Sequence, residues 1–151
     1  MKKVLITGAY GLLGSTLSKG LEASNDYEVI RAGTKANARE MADLTKHDDA
    51  CRLFKRVAPH IVINLSALTD VDVCEKNPEK AYLLNVKIVH NIVRVLQYEK
   101  INAHLIQIST DQVYGGTGEQ KEDNILPINY YAFSKYAGEL VAMQSNATVI
   151  R

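Results

Sequence analysis

Tyr131 and Lys135 stand four residues apart in a stretch with helical patterning, which puts both side chains on one face, about one turn apart. A free phenol titrates at about 10 and does little acid–base work at neutral pH. A neighbouring ammonium favours the phenolate. Such a pair can give a proton to a carbonyl, or take one from an alcohol, near neutrality. Thr110 follows a predicted strand directly, where its hydroxyl can hydrogen-bond a substrate oxygen. The Ser109-Thr110-Asp111 run suits turn capping equally well. Tyr-x-x-x-Lys also arises by chance in helices, so neither feature assigns a reaction by itself.

A second constellation opens the chain: Gly8-x-x-Gly11-x-x-Gly14, after the apolar run Val4-Leu5-Ile6 and before a helical pattern. Strand, glycine turn and helix start together make a phosphate cradle, because unpaired N–H groups and the helix dipole both favour an anion. The glycines are expected to allow a tight turn at Gly8, close approach of a pyrophosphate at Gly11–Leu13, and close helix–strand packing at Gly14. The spacing departs from G-x-G-x-x-G, since Tyr10 occupies the second glycine position.

Strands and helices that could hold these groups alternate along the chain. Strands are predicted at Lys3–Thr7, Tyr27–Arg31, His60–Leu65, Ala103–Ile108 and Ala147–Ile150. A helix over Leu12–Leu21 would bury Leu13, Leu17 and Leu21, and residues 33–45 read as irregular. A helix over Asp49–Val57 carries Leu53 and Phe54. Asn77-Pro78-Glu79 reads as a helix start: a cap, a proline in the first turn and an acid behind it. That helix runs to Tyr98, with Tyr82, Val86, Val89, Val93 and Leu96 as its apolar stripe and Leu83 widening it. Tyr130–Met143 forms the last helix. Apolar strands each followed by a helix predict an α/β, doubly wound parallel sheet of Rossmann type with helices on both faces. Ligands of such sheets bind beyond the carboxyl ends of the strands, where the long connections Ser66–Lys76 and Thr110–Asn129 lie.

The 151 residues suit one domain. Lys plus Arg number 18 against 17 Asp plus Glu, so nothing favours nucleic acid or an anionic membrane as partner. No segment is long enough to span a bilayer. Two cysteines, Cys51 and Cys74, without C-x-x-C, fit a reduced, cytoplasmic protein. No metal is expected: Asp70, Asp72 and Glu75 lack the glycine turn of a calcium loop. His47, His60, His90 and His104 are scattered. The chain ends just after a strand, which reads as a Rossmann domain over 1–151 truncated before a substrate domain of roughly another 100–150 residues.

Taken in order, the glycine turn, Thr110 and Tyr131-x-x-x-Lys135 resemble the extended short-chain dehydrogenase/reductases over essentially the whole chain. Within them the chain is most similar to the sugar-nucleotide reductase subgroup, the dTDP-4-dehydrorhamnose reductases. The residues behind this are Ala67-Leu-Thr69-Asp70-Val-Asp72-Val-Cys74-Glu75, Ser109-Thr-Asp111-Gln-Val-Tyr114-Gly-Gly116 and Tyr131-Ala-Phe-Ser-Lys135-Tyr-Ala-Gly138-Glu139. Ala132 stands where most relatives have glycine. Gln112 stands where related 4,6-dehydratases carry a basic glutamate, which disfavours dehydration.

The resemblance implies Thr110, Tyr131 and Lys135 as catalytic residues. It implies cofactor contacts from Gly8, Tyr10, Gly11, Leu12, Leu13 and Gly14, with Ser66 and Ala67 beside the cofactor and Asp43 and Leu44 at the adenine. It adds Asn85 in the long helix, Ser109, and Tyr131 and Lys135 at the nicotinamide ribose. NAD binders usually carry an acid at the end of the second strand. Here Arg31-Ala-Gly-Thr-Lys35 stands instead, and Arg31 and Lys35 suit a 2′-phosphate, so NADPH is expected in preference to NADH. The implied reaction is NADPH-dependent reduction of a 4-keto sugar nucleotide, as in dTDP-rhamnose biosynthesis. The alternatives are a non-catalytic, NADP-binding regulatory subunit, like the beta subunit of methionine adenosyltransferase, or a sugar-nucleotide epimerase. A homodimer is an assembly the resemblance leaves open.

Overall fold

The computed structural model describes residues 1–34 and 38–151. Its strands are β1 (Lys2–Thr7), β2 (Tyr27–Gly33), β3 (Glu40–Met41), β4 (Ile61–Asn64), β5 (His104–Ile108) and β6 (Ala147–Ile150). They form one sheet in the order β3-β2-β1-β4-β5-β6, parallel throughout. The chain leaves β1 in one direction for β2 and β3, then returns to place β4, β5 and β6 on the other side. The topological switch point is therefore between β1 and β4.

Helices cover both faces, as expected of a doubly wound sheet. α1 (Leu12–Ser24) lies on one face, where Leu17 and Leu21 pack on Val4, Ile6, Val29 and Ile63. The other face carries α2 (His47–Val57), α5 (Ile88–Tyr98) and α6 (Tyr130–Ala142). There Leu53, Phe54, Val89, Ile92 and Ala142 close over the sheet residues Leu5, Val62 and Leu105. The alternation Val4/Leu5/Ile6 sends successive side chains to opposite faces, so this middle stretch of β1 must be apolar at every position.

Several expectations need correction. The stretch read as irregular contains β3. The connection after β4 contains a helix, α3 (Val71–Lys76), whose N-cap Asp70 accepts from Val73 N–H at 2.9 Å. Asp111–Val113 forms a 3₁₀ turn. Leu13 is 54 % exposed: the first turn of α1 overhangs the sheet edge, and Gly14 and Ser18 make the buried face instead.

The long helix starts at Asn77-Pro78 as predicted, with Asn77 Oδ1 accepting from Lys80 N–H. It runs as α4 (Pro78–Tyr82), a five-residue π-helical segment (Leu83–Lys87) and α5. The π segment holds one extra residue per turn and shifts the helical phase. Ala81 just upstream of it and Asn85 within it face inward, whereas Tyr82 and Leu83 of the predicted stripe, at its start, are exposed. Downstream, Val89, Val93 and Leu96 are buried as the spacing required.

Candidate functional site

β1 ends at Thr7 and the chain turns at Gly8, whose φ of +65° disfavours any side chain. A Cβ there would also lie 2.8 Å from the Leu65 carbonyl and from Ser66 N. Gly11 bonds back to Gly8 (N to O, 3.0 Å) and caps α1 with no side-chain partner. A Cβ on Gly11 would meet only Gly8 O, at 3.4 Å, so this side of the turn is open. At Gly14 a Cβ would come within 2.4 Å of Gly8 O and 2.7 Å of Ala9 Cα, so the helix can sit on the turn only without one. Intrahelical bonding begins with Ser15 N–H to Gly11 O, which leaves the N–H groups of Leu12, Leu13 and Gly14 without helical acceptors. With no acidic side chain in this first turn, the cradle fits a pyrophosphate.

A groove of about 340 Å³ opens beside this turn, at the switch point. Gly8, Tyr10 and Gly11 line it, together with Asp43, Leu44, Ser66 and Ala67. Sequence reasoning did not single out Thr7, Gly33, Thr34 or Thr45, which also line it. The Tyr10 ring packs where a Gly33 side chain would be, 2.9 Å from its Cβ position, and its hydroxyl accepts from Arg39 N–H at 2.6 Å. Asp43 Oδ1 accepts from Thr45 N–H and Oγ, shaping the loop ahead of α2. Asn91, fully buried in α5, holds the carbonyls of Leu44 and Thr45 at 2.8 and 3.0 Å.

Other expected contacts lie elsewhere. Arg31 sits on the α1 face of β2 and pairs with Glu22, so its head is engaged there rather than lining the groove. Lys35 lies outside the described residues. Asn85 is buried and its amide is spent on protein. Oδ1 accepts from Leu68 N–H at 2.8 Å, and Nδ2 donates to Leu68 O and Ser134 Oγ. It thereby binds the loop after β4 to α6. Ser109 Oγ donates to Glu139.

α6 begins at Asn129, whose Oδ1 accepts from Ala132 N–H at 2.7 Å. This cap sets the phase that turns Tyr131, Ser134, Lys135, Gly138 and Glu139 inward. Tyr131 packs against Cys74, Ala81 and Leu68. One turn on, Lys135 Nζ donates to the Ile108 carbonyl at 2.7 Å, at the carboxyl end of β5 and hence on the same rim as the glycine turn. Burial pushes the Lys135 ammonium down to about 8, against an opposing pull from Glu139. Thr110 is buried two residues beyond Ile108. Its Oγ accepts from Gln112 N–H at 3.2 Å and donates to Asp111 at 3.3 Å, so it caps the 3₁₀ turn.

A buried polar row crosses the sheet next to this lysine and was not anticipated. Thr7, Asn64 and Gln107 are in register on adjacent strands. Thr7 Oγ donates to Asn64 Oδ1 at 2.6 Å, Asn64 Nδ2 to Gln107 Oε1 at 2.7 Å, and Gln107 Nε2 to Ile108 O at 3.1 Å. Each residue follows a buried apolar strand residue (Leu5, Val62, Leu105) by two positions, but only the strand register aligns the three. Among the described residues no group of three His, Cys, Asp or Glu could hold a metal ion, and no helix is long and apolar enough to cross a membrane.

The RmlD substrate binding domain family model matches residues 1–151. The chain is 36% identical to the spore coat polysaccharide biosynthesis protein SpsK of Bacillus subtilis, covering 100% of this chain and 52% of that protein. It is 35% identical to methionine adenosyltransferase 2 subunit beta of Xenopus laevis, over 99% of this chain and 46% of that one. The crystal structure of dTDP-4-dehydrorhamnose reductase from Bacillus anthracis in complex with NADP superposes with a TM-score of 0.87 at 31% identity. That match covers 99% of this chain and 52% of that one. The chain thus spans about half the length of the relatives it matches.

Proposed function

The chain belongs to the RmlD substrate binding domain family, and from that premise we propose that it is the dinucleotide-binding half of a reductase. The substrate is the 4-keto group of a nucleotide-linked sugar and the cofactor is NADPH. One observation carries this reading: Lys135, buried and one turn from Tyr131, reaches the carboxyl end of β5 on the rim that holds the glycine turn. The open side of Gly11 and the acid-free start of α1 fit a pyrophosphate. The end of β2 offers Gly33 and Thr34 rather than a carboxylate, which favours a phosphorylated ribose. The related reductase bound to NADP supports the same choice.

Gly8, Gly11 and the first turn of α1 would hold the pyrophosphate, with Asp43 and Leu44 at the adenine and Ser66 and Ala67 along the groove. Bound there, the dinucleotide supplies a hydride. Tyr131 gives its phenolic proton to the carbonyl oxygen. The Lys135 ammonium stabilises the phenolate left behind and turns to the ribose hydroxyls. Thr110 orients the carbonyl oxygen by giving up its bond to Asp111. Gln112 carries no basic carboxylate, which supports reduction over dehydration.

A steady-state assay of NADPH oxidation by the full-length protein with dTDP-4-dehydrorhamnose tests this. Turnover is expected. A protein that binds NADPH and never consumes it would instead be a nucleotide-binding subunit. Two observations favour that second reading: the similarity to a methionine adenosyltransferase subunit, and the engagement of Thr110 Oγ in capping.

A further inference from the structure

The polar row beside Lys135 has two ends whose polarity is fixed by the backbone. Ser66 N–H can only donate, and Asn64 Oδ1 faces it at 3.3 Å. Asn64 must then turn its NH₂ to Gln107, and Gln107 must turn its NH₂ away. The group waiting there is the Ile108 carbonyl, which can only accept. The orientation of Gln107 is thus dictated from both sides. Ile108 O takes two donors, Gln107 Nε2 at 3.1 Å and Lys135 Nζ at 2.7 Å. Both donors are buried, Gln107 2 % and Lys135 5 % exposed, while Ile108 itself is half-buried.

We propose that Gln107 is a positioning residue that keeps the Ile108 carbonyl partnered when Lys135 swings its ammonium to the ribose of a bound dinucleotide. The proposal rests on the role given to Lys135 above. A half-buried carbonyl that loses its only donor carries a desolvation penalty, and that penalty would hold Lys135 back. With Gln107 already in place, Lys135 can leave without orphaning the oxygen. The row anchors that substitute donor: Thr7 and Ser66 fix Asn64, and Asn64 fixes Gln107.

The test is calorimetric titration of the full-length protein with NADPH, comparing Gln107→Met, Lys135→Met and the double variant. Gln107→Met should weaken binding roughly 5- to 20-fold. In the Lys135→Met background the same substitution should have no effect, because no ammonium needs releasing. An equal loss in both backgrounds marks a merely structural role and overturns the proposal, as does unchanged binding by Gln107→Met. Unchanged binding by Lys135→Met overturns the role of Lys135 itself, a separate failure. A crystal structure of the NADPH-loaded protein gives a readout independent of how the variants fold. Gln107 Nε2 should remain on Ile108 O with Lys135 Nζ gone from it; Lys135 still bonded to that carbonyl refutes the inference.

Discussion

Arg151 closes on Glu139 through Nη2 to Oε2 at 2.7 Å and Nε to Oε1 at 3.2 Å, at the base of α6. The carboxylate is fully buried and also accepts from Ser109 Oγ. Arg151 Nη1 reaches on to Tyr114 Oη at 3.0 Å and to the Glu122 carbonyl at 2.7 Å. The hydrogen bond to Glu139 raises the guanidinium pKa further. One side chain thus ties together the end of β6, α6 and the loop after β5. Arg151→Met would leave a buried carboxylate with a single hydroxyl donor, and should destabilise the fold by about 3 kcal/mol. Glu139→Gln removes the buried charge and should cost clearly less. Urea denaturation at neutral pH measures both; equal losses would count against this account.

Lys135 makes stability depend on pH in an uncommon direction. Its folded-state pKa of about 8 lies below the ordinary 10.5, chiefly through burial. Between those values the unfolded chain binds more protons, so stability rises as pH climbs from 8 towards 10.5. Lys135→Met should therefore stabilise the protein at pH 7, by on the order of 2 kcal/mol. The gain should fade as pH rises above 8. Thermal melts across that range, wild type against variant, check the sign.

Two glycines of α1 should respond oppositely to the same methyl group. Gly14→Ala would drive Cβ into backbone atoms of Gly8 and Ala9, which cannot yield. It should cost about 2 kcal/mol or more and abolish dinucleotide binding. Gly20→Ala meets nothing within 4 Å and should raise stability by up to about 1 kcal/mol. Differential scanning calorimetry separates the two.

Tyr131→Phe should lower the hydride-transfer rate of the full-length protein by roughly 10²–10⁴, the usual contribution of a positioned acid, while NADPH affinity stays within about twofold. Stopped-flow absorbance of the nicotinamide with parallel calorimetry reads the two quantities. Lost affinity with a normal rate would reverse the assigned role.

The sheet was legible because its signals are local. Apolar runs such as Val4–Ile6 and the cap-and-proline pair at Asn77-Pro78 act within a few residues, and the structure follows them. The glycine turn was readable for the same reason. β3 escaped notice because two residues carry no periodicity, and α3 because its six residues bury Cys74 alone. Arg31 was placed by its position at the end of β2. Alternation puts it on the face of Val29, under α1, and its head is engaged by Glu22, nine residues earlier on another element. The row from Thr7 to Gln107 depends on strand register, which no single segment encodes.

The π-helical segment at Leu83–Lys87 makes this long helix intolerant of repair. Deleting one residue there would restore ordinary α geometry and look harmless, or even favourable, by helix propensity. It would also swing everything upstream round the axis by about 100° relative to α5. Asn85 would leave the Leu68 loop and Ser134, and α6 would lose its close seat at Gly138, whose missing side chain makes room for the Asn85 carbonyl. The irregularity therefore works as a keyed joint: it sets the rotational alignment between the half of the helix that grips the core and the half that holds the rim of the groove.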